Sequence, residues 1–390
     1  MRTGAASVAT AALLLVLAGA CTSEEQGPIV NNPETTPTPT STGEVSPSVE
    51  PEPDPSPNPT AAATPTVTTT ITTGLTSPWG LAFLPDGDAL VSERDTDLIK
   101  RVSSDGRRVT VVGAIDEADP SSSEGGLLGL AVHPQFPRQP WVYAYYSTAV
   151  DNRLVRMRYQ NGRLGRQRVL LDGIEVGDYH NGGRLAFGPD GMLYVTTGDA
   201  TEGDRSQDRT SLNGKILRLT PAGNPAPGNP FGDQSPVYSF GHRNVQGITW
   251  DDAGNLYASE FGQDTWDELN HVRPGDNFGW PAVEGKVGTD TGYVDPIVQW
   301  SPEEASPSGI VWAEDSVWMT GLRGERLWQV TVTDDGAVRG EPEAFFTGEY
   351  GRLRTVELAP DGALWLVTSN TDGRTDPRIG DDSILRLALR

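Results

Sequence analysis

One pattern recurs six times along this chain, and it constrains the fold more than any other feature. Each copy is a short apolar run, often closed by a Pro-Asp-Gly turn, followed by a second run rich in aromatic residues. The copies are anchored at Leu81, Leu130, Leu185, Ile248, Ile310 and Val356, at spacings of 49, 55, 63, 62 and 46 residues. The second runs are Leu90–Ser92, Val142–Tyr145, Leu193–Val195, Leu256–Ala258, Val317–Met319 and Leu364–Val367. Period-two alternation bounded by turn residues reads as β-strand. Irregular repeats of about 50 residues, each a small antiparallel sheet, stack into a β-propeller. The expected fold is therefore all-β, a six-bladed β-propeller of four-stranded antiparallel blades. A solenoid is the alternative, but its repeats are shorter and more regular. Val67–Thr73 precedes the first copy, and it is expected to supply the outer strand of the last blade and close the ring.

Composition agrees and sets limits. The chain has 390 residues with 45 Gly and 31 Pro, and only 21% are charged, which suits turn-rich β-structure better than helices. Its net charge of −23 argues against a nucleic-acid partner, because phosphate backbones need a basic face. A single cysteine excludes an internal disulfide and a cysteine-based metal site.

That cysteine has a place in the N-terminal organisation. Residues 1–20 have a basic start, an apolar run too short to span a bilayer, and small residues at the end, as in a secretory signal peptide. Cys21 follows Ala18, Gly19 and Ala20 in a setting that resembles a bacterial lipobox, although Ala18 stands where such boxes usually have Leu. The expectation is a lipidated N-terminus on Cys21 and an extracytoplasmic chain, lipid-anchored to the outer face of the cell membrane. Residues 22–65 hold 11 prolines, seven acidic residues and no basic one. Such a segment buries too little apolar surface to offset its ordering entropy, so residues 21–65 read as a disordered tether. Residues 66–390 form the propeller body.

The repeat also gives a phase. In a propeller the innermost strand of each blade lines the axial channel, and the second strand returns to the face where the first began. Residues before each first strand and after each second strand therefore share one mouth. Before the first strands stand Trp79, Glu124, His180, Arg243 with Asn244, Ser306 with Ser308, and Arg352 with Arg354. After the second strands stand Glu93, Asp199, Gly262, Arg323 and Asn370. A histidine, an aspartate and four arginines thus converge on one opening of an acidic protein. Like charges at one mouth repel. They make sense around a ligand with several carboxylates or phosphates, whose geometry guanidinium forks match. Surface arginines paired with neighbouring acids are the plainer reading. Beside such a cluster and Asp199, His180 becomes a candidate base.

Four motifs in order then carry a family resemblance: Glu124–Gly129, His180–Gly191, Gly241–Gly247, and Glu260–Asn270 with Asn277–Pro281. Over residues 72–390 the chain resembles the soluble sugar dehydrogenases that use pyrroloquinoline quinone (PQQ), the glucose/sorbosone and aldose sugar dehydrogenase family. The resemblance implies a six-bladed propeller with PQQ at the channel mouth over a calcium ion (Ca2+). It implies oxidation of aldose sugars at C1 to lactones, with His180 as general base and Asp199 orienting it. Arg243, Asn244, Arg323, Arg352, Arg354 and Phe261 fall on cofactor-binding positions. Glu124 falls near the sugar, and the carbonyls of Gly262 and Gln263 match the metal ligands. Three carboxylates on the quinone would give the arginines their partner, and calcium takes carbonyl oxygens readily.

Departures limit what carries over. Arg323 stands where the glucose enzyme has lysine, Phe261 and Gln263 replace polar and proline residues, and Glu124 replaces a glutamine. A broad aldose range is therefore expected rather than glucose specificity, with an external electron acceptor that the chain does not encode. The alternatives are a calcium-dependent sugar lactonase and a non-catalytic ligand-binding propeller. Thr371–Asp376 and Gly380–Asp382 read as turns, with a second calcium site as the other possibility.

Overall fold

The computed structural model describes residues 63–390. The signal segment, Cys21 and the tether lie outside the described residues. Six antiparallel sheets follow one another along the chain. Their inner strands are Pro78–Phe83, Leu127–Val132, Leu185–Phe187, Val245–Trp250, Pro307–Ala313 and Leu353–Leu358, each paired with the next strand in sequence. Five sheets have four strands, and the second adds the two-residue strand Arg163–Leu164. The expected closure is present. Pro65–Thr72 pairs antiparallel with Ile384–Leu389, so the sixth blade is built from both ends of the described chain. Neighbouring inner strands touch in order, and the first touches the last. The fold is a six-bladed β-propeller.

The alternation of the strands separates two apolar faces rather than apolar from polar. On the second strand of blade 2, Tyr143 and Tyr145 enter a cluster shared with blade 3, while Val142, Ala144 and Tyr146 enter one shared with blade 1. On that of blade 6, Trp365 and Val367 face blade 1, and Leu364 and Leu366 face blade 5. A sheet covered on both sides reads as a nearly continuous apolar run. The core is thus six wedges, one at each blade boundary.

Hydroxyls join the blades at their inner strands. Ser92 donates to Leu128 O (2.5 Å), Tyr145 to Asn181 O (3.0 Å) and Thr196 to Val245 O (2.8 Å). Ser259 donates to Ser308 O (2.5 Å), Thr320 to Arg354 O (3.1 Å) and Thr355 to Trp79 O (2.6 Å). One such bond crosses every boundary and ties a hydroxyl of one blade to a backbone carbonyl of the next. The approach is close: a Cβ on Gly129 would lie 2.0 Å from Gly183 O.

The residue before each apolar anchor is glycine in four blades (Gly80, Gly129, Gly247, Gly309), but Arg184 in blade 3. Its guanidinium crosses the axis. Nε donates to Gln246 O at 2.8 Å, Nη2 to Thr355 Oγ1 at 3.2 Å, and the group lies 4.3 Å from the Trp79 ring centroid. Four blades therefore meet on one side chain beneath the mouth. Glu357, two residues beyond Thr355 on the same strand, lies in the field of Arg184. Burial pushes its carboxyl up to about 7 from 4.5, and Arg184 opposes this. The folded chain holds this proton to higher pH than the unfolded chain, so stability is lost as pH rises from about 4.5 to about 7. Glu357→Gln should raise stability by about 2 kcal/mol at pH 8 and leave it unchanged near pH 4. A series of urea midpoints across that range checks both the sign and the window.

Candidate active site

Ten of the eleven candidate residues line one cavity of about 430 Å³. The cavity draws on all six blades, from Trp79 and Arg94 in the first to Arg352 and Arg354 in the last. Its volume suits a small ligand or cofactor. The eleventh candidate, Asp199, sits beneath His180 rather than in the wall.

His180 lies in the loop before the third inner strand, with a left-handed φ of 62°. Its backbone N–H donates to Glu124 Oε2 at 3.0 Å. Gly198 makes room for that loop, since a Cβ there would lie 1.9 Å from His180 O. The imidazole Nδ1 is 2.8 Å from Asp199 Oδ1. Asp199 is buried and collects two more donors, Thr201 N at 2.7 Å on Oδ1 and Trp280 Nε1 at 2.8 Å on Oδ2. Both of those donors are fixed N–H groups, so the carboxylate is an acceptor and Nδ1 of His180 is the donor. Nε2 is then the free lone pair, and it has no protein hydrogen bond among the described residues. The arrangement is that of an oriented base at the edge of a cavity.

The other wall is cationic. Arg94, Arg243, Arg323, Arg352, Arg354 and Arg374 line the cavity against the carboxylates of Glu124, Asp267 and Asp372. Asp372 is the hub of the sixth blade. It accepts a fork from Arg352 (Nε 3.0 Å, Nη2 2.9 Å), and Arg354 Nη2 stands 3.6 Å away. Burial would raise its carboxyl, but Arg354 and Arg352 outweigh this and hold it below the usual range. Burial pushes the Arg354 guanidinium down to about 9, and its Nε has no partner. Arg243 is also pushed down by burial, and its Nε is likewise unpartnered. Both arginines line the same cavity, and a cluster of guanidiniums there fits an anionic ligand.

The remaining candidates are more varied. Arg323 is at the rim, largely exposed and paired with Glu303 at 2.8 Å, so it is a weaker anion partner than its position in the repeat suggests. Asn244 is buried and spends its Oδ1 on Gly182 N at 3.0 Å, which braces the His180 loop. Phe261 lines the wall. The carbonyl of Gly262 accepts from Arg243 Nη1, which also reaches Phe261 O at 3.4 Å. Asp267 lies behind this segment, where burial pushes its carboxyl up to about 6.

Sequence reasoning missed Arg94, Gln246, Asp267, Trp280 and Asp372. Arg94 follows Glu93, so one more step along the second strand would have found it. Asp372 lay in a stretch read as a turn or a second calcium site. Gly380–Asp382 does leave a turn, closed by Asp381 N–H on Arg378 O (3.1 Å), and Asp382 accepts from the hydroxyls of Thr368 (2.9 Å) and Thr371 (2.6 Å) and from backbone N–H groups.

Asp372→Asn would leave the buried Arg354 and the partly buried Arg352 without their carboxylate, a change that costs about 3 kcal/mol. Thermal midpoints should fall accordingly and recover partly in millimolar citrate, a tricarboxylate. No recovery with citrate would count against an anion site.

The model of the family described as glucose/sorbosone dehydrogenase matches residues 75–385. The PQQ-bound aldose sugar dehydrogenase of Streptomyces coelicolor superposes with a TM-score of 0.82 at 56% identity, covering 85% of this chain and 100% of that one. The aldose sugar dehydrogenase of Escherichia coli is 27% identical over 77% of this chain and 89% of its own length. Quinoprotein glucose dehydrogenase B of Acinetobacter calcoaceticus is 31% identical over 57% of this chain and 53% of its own. The family match runs from the first inner strand into the last strand of the sixth blade, and the chain belongs to the glucose/sorbosone dehydrogenase family of oxidoreductases.

Proposed function

We propose that this chain is an extracytoplasmic quinoprotein dehydrogenase that oxidises aldose sugars at C1 to lactones, with PQQ and Ca2+ as cofactors. The observation that carries the reading is His180, held by Asp199 with Nε2 free, at the edge of a cavity with six arginines to three carboxylates. That lining is more cationic than anionic, which suits a ligand that carries several carboxylates. Two of the arginines have outside partners, Asp95 for Arg94 and Glu303 for Arg323, so Arg243, Arg352 and Arg354 matter most.

The residues fit both groups. Arg243, Arg352 and Arg354 would hold the quinone carboxylates, with Phe261 against its plane. The carbonyls of Gly262 and Gln263 are oxygen donors of the kind calcium takes, and the buried Asp267 adds negative potential behind them. Arg243 shares the Gly262 carbonyl, and transfer of this guanidinium to a ligand carboxylate frees that oxygen for a cation. When bound, the quinone supplies the two-electron acceptor for the hydride leaving C1, and calcium polarises it.

The chain's own residues handle the proton. His180 Nε2 accepts the proton of the C1 hydroxyl as the carbonyl forms, and Asp199 stabilises the resulting imidazolium through Nδ1–H. Trp280 and Thr201 keep Asp199 from turning away. Glu124 stands over this side of the cavity, where a carboxylate can accept from sugar hydroxyls. A lactonase would want several carboxylate and Asn side chains on one metal, and six arginines at the mouth do not suit it. Lipid attachment at Cys21 and the tether would hold the propeller at the outer face of the membrane, passing electrons to an external acceptor.

Sugar-dependent dye reduction tests the reading, measured on the purified chain before and after adding PQQ with calcium. Activity should appear only on reconstitution, across several aldoses. His180→Ala should lower kcat by about 10²–10⁴-fold without loss of quinone binding. If the quinone fails to bind, the cofactor assignment is wrong; if it binds and His180→Ala keeps full activity, the base is elsewhere.

A further inference from the structure

The segment Phe261–Trp266 turns its backbone polarity in one direction. Gly262 N–H donates to Asp267 Oδ1 at 3.0 Å. The next four N–H groups all donate to a single atom, Glu284 Oε1: Gln263 at 2.8 Å, Asp264 at 3.2 Å, and Thr265 and Trp266 at 3.0 Å. A trans peptide is planar, and the C=O of one residue points opposite to the N–H of the next. Drawing these N–H groups onto carboxylates therefore turns the carbonyls of Phe261, Gly262 and Gln263 the other way. Two of the three already face a cation, because Arg243 Nη1 donates to Phe261 O and Gly262 O.

We propose that Glu284 is a positioning residue for cation binding, whose carboxylate orients the Gly262 and Gln263 carbonyls into the cavity. The role rests on the calcium reading above. Glu284 is not part of the cavity wall and touches neither ligand pocket nor base; it acts through the loop. Its four N–H donors are a strong hold, since hydrogen bonds to a charged acceptor are about twice as strong as neutral ones. Its negative charge behind the loop also favours a cation in front of it. No repeat position or motif points to this residue, because it lies in the long excursion between Val272 and Val298.

The test uses wild type, Glu284→Ala and Glu284→Gln, each reconstituted with PQQ, stripped by chelator and titrated with calcium. The readouts are calcium bound per chain, by elemental mass spectrometry, and the calcium concentration that gives half of the gain in thermal midpoint. Half-saturation should rise about 10–100-fold in the alanine variant, the usual cost of losing a group that orients metal ligands. The glutamine variant, which keeps a neutral oxygen for the N–H groups, should show a smaller rise. Both should approach the wild-type midpoint at saturating calcium, which a loop that had merely collapsed would not. Calcium uptake by wild type with equal half-saturation in the variants overturns the role of Glu284 alone. A wild type that takes up no calcium overturns the calcium reading and this role together. Should the alanine variant not fold, the glutamine variant decides, and an unchanged half-saturation overturns the proposal.

Discussion

A cavity assembled from the loops of six blades exists only while the ring is closed, and one strand pairing closes it. Pro65–Thr72 runs antiparallel to Ile384–Leu389, with Val67 opposite Leu387 and register shifts on either side of Thr69 and Thr70. No blade here has a core of its own; each buries its faces only against its neighbours. Opening the ring would therefore expose the face of the sixth blade that packs on the first, beside the inner strand Leu353–Leu358 that carries Arg354. The hydroxyl bond from Thr355 to Trp79 O crosses this same boundary and ties the cationic side of the mouth to the first blade.

Closure also sets the electrostatics. The protein as a whole is strongly acidic, yet its mouth collects guanidinium groups around Trp79, which has Arg184 at 4.3 Å and Arg354 at 5.8 Å. The indole ring is an uncharged partner that both can approach where water is scarce. Asp372 neutralises part of the cluster through its fork with Arg352, and Glu357 answers Arg184 from within the channel. What remains is an excess positive field at the mouth, in a setting where burial strengthens every charge. Such a site is costly when empty and favourable around a polyanion, which is why the arginines read as binding groups rather than as stabilising ones.

Much of this was legible from the repeat. Strand positions, blade number and the closing strand follow from period-two runs that recur six times, and the phase of the repeat carried His180, Arg243, Arg352 and Arg354 to one mouth. Phase gives a backbone position, however, and not the reach of a side chain. Arg323 has the right phase but turns outward to Glu303, whereas Asp372, two residues past Asn370, turns inward. The Asp residues of 371–376 and 380–382 look alike in sequence; one anchors the arginine cluster and another straps a turn, and only their neighbours in space distinguish them. Trp280 and Glu284 belong to the excursion between the last two strands of blade 4, which has no counterpart in the other blades. Trp280 spends its indole N–H on Asp199.

The two halves of the site are positioned by one device. On the base side, Asp199 gathers N–H groups from His180, Thr201 and Trp280, and this leaves His180 Nε2 free at the cavity. On the other side, Glu284 gathers four backbone N–H groups, and this turns carbonyls toward the cavity. In each case a carboxylate behind the wall uses fixed donors to aim something else forward. Trp280 links the two: its indole N–H holds Asp199, and its ring lies 5.4 Å from the guanidinium of Arg243, which in turn occupies the Gly262 carbonyl. One indole thus meets both the carboxylate that orients the base and the guanidinium that bonds the Gly262 carbonyl, so the two halves of the site share a side chain.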